Sequence, residues 1–231
     1  MGNAEKICDG IYLVGGPGIS HFQDAAVFIV ECGDELVMID SGSGKGLGIL
    51  QDNMLDLGLN PAKISFLILT HCHVDHIGSA KFFRDTFGCR IIAHELDAQA
   101  IETGDDVMTA ASWYDTRLPE TPVDRKLSAE HEILTFGGDE IHCLHTPGHT
   151  PGSISLYLDR DEKRILFGQD IHGPFTPEFG SDIAQWRDSM ERLLALEADI
   201  LCEGHFGIFF GKKKVRKYIQ GYLDQYAGEY S

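Results

Sequence analysis

Apolar positions along the chain follow two periods. Residues 11–14, 25–31 and 35–39 are short runs of aliphatic, β-branched and aromatic side chains bounded by glycine and acidic residues, and they predict strands. At residues 46–57 the period changes. Leu47, Leu50, Met54 and Leu57 recur at helical spacing and Gly58 closes the segment. The alternation then repeats, with a strand at 64–69, a helix at 79–87 ending at Gly88, a strand at 91–93 and a helix at 94–101. Residues 102–127 keep neither period. Strands resume at 133–136, 140–144, 153–158 and 164–167, followed by a helix at 182–196, a strand at 199–202 and a last helix at 213–226. Strands followed by helices in both halves predict an α/β protein, without a short-period repeat.

Several of these strands run straight into groups that can bind a metal. The strand at 64–69 delivers Thr70-His71-Cys72-His73-Val74-Asp75-His76-Ile77-Gly78, which places three imidazoles and a carboxylate within six positions. Imidazole and carboxylate suit borderline divalent ions, and a nitrogen-and-oxygen set is typical of sites that leave a position open for water. If the segment stays extended, His71, His73 and Asp75 share one side, while Cys72 and Val74 face the other. Residues 140–145 lead into Thr146-Pro147-Gly148-His149-Thr150-Pro151-Gly152, a tight loop carrying His149. The strand at 164–167 leads to Asp170, and the strand at 199–202 to Glu203-Gly204-His205. Loops at one edge of a sheet can converge on a common site, so these groups can join His71 to His76 although they are distant in sequence. Together they make a set of seven ligands.

This ordered set resembles the metallo-β-lactamase fold superfamily, through His-x-His-x-Asp-His after a strand, the lone His149 loop, Asp170, and Gly-His near the end. The resemblance covers the chain from Gly10 to about Tyr222. It implies a four-layered αββα sandwich. It also implies that His71, His73 and His149 hold a first metal, that Asp75, His76 and His205 hold a second, and that Asp170 bridges both. A metal-bound hydroxide would be the nucleophile, with Asp75 orienting it and relaying its proton. Asp40, which ends its strand in Ile-Asp-Ser-Gly, matches the acid that steadies a ligand imidazole from outside the ligand set.

Within the superfamily the motifs separate some branches. The best-known zinc β-lactamases carry Arg where this chain has His76, and flavodiiron oxygen reductases carry Glu at His73. Quorum-quenching lactonases have Tyr three residues beyond the bridging Asp, where this chain has Gly173. The resemblance is closest to glyoxalase II-like proteins and implies a dinuclear hydrolase of a small ester, thioester, lactone or phosphoester. Two divalent ions are expected, zinc first, with iron or manganese as alternatives. The competing reading is a persulfide dioxygenase with one iron on His71, His149 and Asp170.

Composition narrows the partners. A chain of 231 residues can bury one sizeable core, and no linker-like stretch divides it, so one domain over 1–231 is expected. The net charge of −17 argues against a nucleic-acid substrate. The residues from Met1 to Lys6 carry no apolar signal core and no myristoylation motif, and no run has membrane-spanning length. Cys8, Cys32, Cys72, Cys89, Cys143 and Cys202 lack Cys-x-x-Cys spacing and fit reduced, mostly buried thiols in a cytoplasmic protein. A homodimer is compatible with this reading. Candidate pocket residues are His21 and Phe22 in a glycine-rich loop, Trp113 and Tyr114 in the irregular stretch, and His172 just past Asp170. The basic run Lys212-Lys213-Lys214 after His205 could attract an anionic substrate.

Overall fold

The computed structural model describes residues 3–228. Met1 and Gly2, which begin the segment checked for a lipid-anchor motif, and residues 229–231, the end of the expected domain, lie outside the described residues.

Two sheets stack face to face. The first holds β1 (Glu5–Cys8), β2 (Ile11–Gly15), β3 (Val27–Cys32), β4 (Glu35–Ile39), β5 (Ile64–Ile68), β6 (Arg90–His94) and β7 (Arg125–Leu127), side by side in that order. The neighbours from β1 to β4 are antiparallel, and those from β4 to β7 are parallel. Its helices are α1 (Leu47–Asp56), α2 (Val74–Ile77), α3 (Ala80–Phe87) and α4 (Glu95–Thr103). The second sheet holds β8 (His131–Phe136), β9 (Asp139–His145), β10 (Ile154–Arg160), β11 (Lys163–Gln169), β12 (Ile200–Glu203) and β13 (Ile208–Phe210), in the order β13-β12-β11-β10-β9-β8. Only β11 and β12 run parallel in it, and α5 (Ile183–Ala195) and α6 (Lys212–Gln225) cover its outer face.

The period-2 alternation of the strands sorts the core into layers. In β3, Val27 and Ile29 join the cluster beneath α1, α3 and α4, whereas Phe28 and Val30 point between the sheets. Leu36 and Met38 of β4 follow the first pair, Val37 and Ile39 the second. Across the interface, Ile165 and Phe167 of β11 face inward while Leu166 turns outward to α5 and α6. Phe28 and Phe167 meet edge-on at 5.3 Å between ring centres. Each such side chain, fully buried, contributes roughly 1.5–3 kcal/mol of transfer free energy. The result is the αββα sandwich. Among the described residues no helix is long and apolar enough to cross a membrane.

Three strands escaped the apolar pattern. β1 and β7 carry charged or half-exposed residues at sheet edges, and β13 is three residues long. Their pairing comes from neighbouring strands rather than from a buried face of their own. The parallel strands β4, β5 and β6 and the pair β11 and β12 bring their C-terminal ends to one edge of the sandwich, where Asp40, the histidine loop, Asp170 and His205 emerge.

Candidate metal centre

Beyond β5 the chain does not stay extended as its alternation suggested. Val74–Ile77 is a helical turn with His73 at its N-cap, so Asp75 and His76 are presented by a helix rather than by a strand face. The cause is burial on both sides of the turn. Val74 and Ile77 are buried, and the Val74 amide donates to the Thr109 carbonyl at 2.8 Å. Cys72 does turn away from the imidazoles, into the core beneath the helices, with its Sγ donating to the Met108 carbonyl.

The structure brings all seven candidate groups together. One donor atom each from His71, His73, His149 and Asp170 lies within 4.8 Å of the others, and the same holds for Asp75, His76, Asp170 and His205. Asp170 belongs to both groups. Its Oδ2 lies 3.6 Å from His149 Nε2 and 3.9 Å from His71 Nε2, while its Oδ1 lies 3.2 Å from His76 Nε2 and 3.1 Å from His205 Nε2. His149 Nε2 and His73 Nδ1 are 2.9 Å apart. The backbone has to approach closely here. A Cβ on Gly204 would sit 2.6 Å from Asp170 Oδ1, and one on Gly148, at φ +141°, would sit 2.3 Å from the Trp186 Cβ.

The two groups differ electrostatically. Burial, followed by repulsion from His76, His73 and His149, pushes the His71 imidazole well below its ordinary value, and burial does the same to His73. Burial also pushes His149 down to about 4. These three are neutral at neutral pH, with lone pairs available. His76 and His205 go the other way. Burial disfavours their charge too, but Asp170, Asp40 and Asp75 outweigh it at His76, and Asp170 and Asp75 raise His205 to about 9. Asp170, although buried, is held well below the usual carboxylate range by His205 and His76, whereas burial and the Asp170 charge raise Asp75. His71 Nε2 and His73 Nε2 are buried with no hydrogen-bond partner among the described residues. Buried donors and acceptors are rarely left orphaned, and an imidazole-and-carboxylate set is the chemistry of a borderline divalent cation. The residues therefore fit two such ions.

A layer of buried polar groups orients the seven. Asp40, wholly buried, receives the Thr70 amide at 2.8 Å, the Thr70 hydroxyl at 2.7 Å and Gln169 Nε2 at 2.6 Å, and it lies 2.6 Å from His76 Nδ1. Asp40 and Gln169 both hold left-handed backbones, at φ 56° and 47°, a strain that active sites commonly carry. Sequence reasoning missed three members of this layer. Asp97 accepts from the Cys72 amide, the Thr150 hydroxyl and the Gly152 amide, joining the His71 loop to the His149 loop. Glu203 accepts from the amides of His205 and Phe206 and pairs with His172 Nδ1 at 2.7 Å. Gln169 is the third. Asp97 reads as an exposed acid in the first turn of a helix, but Glu203, a charge closing an apolar strand just before Gly-His, was a usable signal.

A cavity of about 270 Å³ opens over the second group and is lined by His73, Asp75, Asp170 and His205 together with Trp113, Tyr114, His172, Pro174, Phe179 and Phe206. Of the pocket candidates, Trp113, Tyr114 and His172 are thus at the site. Trp113 is 55% exposed and packs on Phe179 at 4.8 Å, and Phe179 packs edge-on against His73 at 4.4 Å. The other candidates are not in this wall. His21 Nδ1 accepts from the Gln23 amide, and Phe22 is exposed beside it. Lys212 lies 4.0 Å from Asp199, which precedes β12 at the end remote from Glu203. Lys213 is exposed, and Lys214 faces a groove with Phe209, Lys217 and Tyr218. The reason is topological. β13 runs back antiparallel to β12, so α6 starts at the far edge of the sheet.

The family model for the metallo-β-lactamase superfamily matches residues 22–205. A protein of Methanocaldococcus jannaschii named as a "Probable metallo-hydrolase" is 28% identical over 181 residues, covering 75% of this chain and 84% of that protein. A human protein named as an acyl-coenzyme A thioesterase is 24% identical over 251 residues, covering 96% of this chain and 86% of its own. Among solved structures, a subclass B3 metallo-β-lactamase of Bradyrhizobium japonicum superposes with a TM-score of 0.82 at 21% identity, covering 98% of this chain and 92% of that one, a likeness of fold.

Proposed function

This chain belongs to the metallo-β-lactamase superfamily, and on that footing we propose that it is a two-metal hydrolase of a small ester, thioester, lactone or phosphoester, with a thioester the favoured class. One observation carries the reading: two donor groups of four residues each, buried except for the half-buried His205, that share Asp170. Two bound divalent cations, zinc first and iron or manganese next, would supply Lewis acidity and lower the pKa of a water from ~15.7 toward ~7. His71, His73 and His149 would hold the first ion, and Asp75, His76 and His205 the second, with Asp170 between them.

The chain's own residues do the rest. Asp75, whose carboxylate lines the cavity, orients the attacking water and accepts its proton. Trp113 and Phe179 form an apolar wall against which the acyl group packs, excluding bulk water from the reacting carbonyl. The small cavity favours a short acyl group, and the resemblance to a protein named as an acyl-coenzyme A thioesterase supports a thioester. A single iron on His71, His149 and Asp170 would leave the clustered donors of Asp75, His76 and His205 without a role.

The test is turnover by protein reconstituted with zinc, manganese or iron, assayed on an ester, a thioester, a lactone and a phosphoester with and without oxygen. Oxygen-independent hydrolysis, fastest for the thioester, is the expected result. Oxygen consumption with a persulfide and no hydrolysis of any of the four would overturn the reading.

A further inference from the structure

Tyr114 reaches the cavity by an unusual local route. It ends a single 3-10 turn, Ala111–Tyr114, whose two flanking residues, Ala110 at φ 55° and Asp115 at φ 48°, both adopt the left-handed conformation without being glycine. Such backbone is costly for residues with a Cβ and persists where the surroundings hold it. Here they do. The Trp113 amide donates to the Ala110 carbonyl, the Thr116 amide to the Ala111 carbonyl, and Thr109, just before the turn, accepts from Val74 of the metal-ligand helix. The strained turn is thus fastened to the element that carries Asp75 and His76, and it points Trp113 and Tyr114 into the same cavity.

Tyr114 stands in the cavity wall beside Asp75, Asp170 and His205. A phenol is ordinarily protonated at neutral pH, so its O–H is available to donate a hydrogen bond to a group in the cavity.

We propose that Tyr114 is a catalytic residue whose hydroxyl donates a hydrogen bond to the substrate carbonyl oxygen as that oxygen becomes an oxyanion. The inference rests on the hydrolase reading above. When the water-derived oxygen bonds to the carbonyl carbon, the carbonyl π pair moves onto oxygen, and the Tyr114 hydroxyl meets the new charge. When the pair returns, the bond from carbon to the leaving sulfur or oxygen breaks, and the leaving atom departs with its electrons. Tyr114 keeps its proton throughout. A preorganised donor in a water-poor site is worth most where charge develops, and removing one typically costs 10²–10³-fold in turnover.

Two measurements on the metal-loaded protein decide this. Tyr114→Phe deletes only the hydroxyl, and it should lower kcat for a small thioester by about 100-fold while KM changes less than ~3-fold and metal content stays at the wild-type value. An unchanged kcat, or a loss of metal that accounts for the fall, overturns the proposal. The second measurement needs no turnover. Calorimetric binding of a methylphosphonate monoester, a stable tetrahedral anion, should weaken by about 10-fold in Tyr114→Phe, the loss of one charge-assisted hydrogen bond. Equal affinity in both proteins, or no binding to the wild type, removes Tyr114 from the reaction. If the wild type hydrolyses none of the substrate panel, the hydrolase reading fails, and the phosphonate result still decides whether Tyr114 is an anion donor.

Discussion

His76 Nδ1 lies 2.6 Å from Asp40 Oδ2, and both side chains are wholly buried. The contact orients the imidazole through Nδ1 and leaves His76 Nε2 facing Asp170 Oδ1 at 3.2 Å. Asp40 also ties together Thr70, at the end of β5, and Gln169, at the end of β11, so a single carboxylate aligns residues from both sheets.

Asp40→Asn keeps the size of the side chain and removes its charge. Loss of such an outer carboxylate typically costs 10–100-fold in metal affinity. The expected outcome is a weakening of that order for the ion that Asp75, His76 and His205 would hold, measured by competition with a chromophoric chelator. A smaller loss is expected for the ion on His71, His73 and His149, which Asp40 does not contact. Equal weakening of both ions would show that Asp40 supports the fold of the site rather than His76.

Asp97 offers a test that separates loop geometry from ligand chemistry. It is buried, touches none of the seven donor groups, and accepts from Cys72, Thr150 and Gly152. Asp97→Ala leaves three buried donors unpaired, at about 1–3 kcal/mol for each unsatisfied group before relaxation. Chemical denaturation of the variant should show at least about 2 kcal/mol of lost stability, together with weaker metal binding. Wild-type values for both would contradict the buttressing role.

The wall formed by Trp113 and Phe179 should set substrate preference. Trp113→Ala removes a half-exposed indole from the cavity mouth, and it is expected to raise KM by about 3–30-fold for a substrate with an apolar acyl group, equivalent to roughly 0.7–2 kcal/mol of lost burial. Acetyl substrates and metal content should change little. An unaltered ratio of kcat/KM between long and short acyl groups would show that the acyl chain lies elsewhere.

Acid stability has a contributor away from the metal ligands. His94 is 2% exposed, stacks on His145 at 3.9 Å between ring centres, and accepts the Leu96 amide at Nδ1 as the cap of α4. Burial, with repulsion from His145, lowers its pKa from 6.5 to about 4. The unfolded chain therefore binds more protons between these two values, and stability falls as pH falls through that window. The contribution lost by pH 5 is about 1–2 kcal/mol. Urea unfolding at pH 7.5 and pH 5 should show His94→Asn, which retains a capping side chain, losing less stability between the two than wild type by that amount. Identical losses would remove His94 from the acid response.

Much of the fold and site was legible in the sequence because the strands that matter are buried on both faces and end in unusual polar clusters. β4, β5, β11 and β12 stand out as apolar runs, followed in turn by Asp40, His71, Asp170 and His205, and His149 follows the alternating strand β9. What stayed hidden depends on contacts distant in sequence. Nothing local marks Asp97 as the carboxylate that joins two loops, because acids in the first turn of a helix are common on surfaces. The period of residues 71–76 misled for a related reason: an extended pattern of ligands was overridden by the burial of Val74 and Ile77, which coils the chain into α2. The lysines of residues 212–214 were placed near His205 by sequence distance alone, and the short return strand β13 carries them to the opposite edge. Tyr114 and Trp113 lay in the one stretch without a period, where functional loops tend to fall.

Metal content is the most direct test of the two-metal claim. Protein purified under conditions that retain bound ions, and analysed by elemental mass spectrometry alongside Asp170→Ala, should carry about two divalent ions per chain in the wild type. The variant should be depleted at both positions, because Asp170 is the one group common to the two donor sets. A single iron per wild-type chain, or two ions retained in Asp170→Ala with normal hydrolysis, would contradict the account.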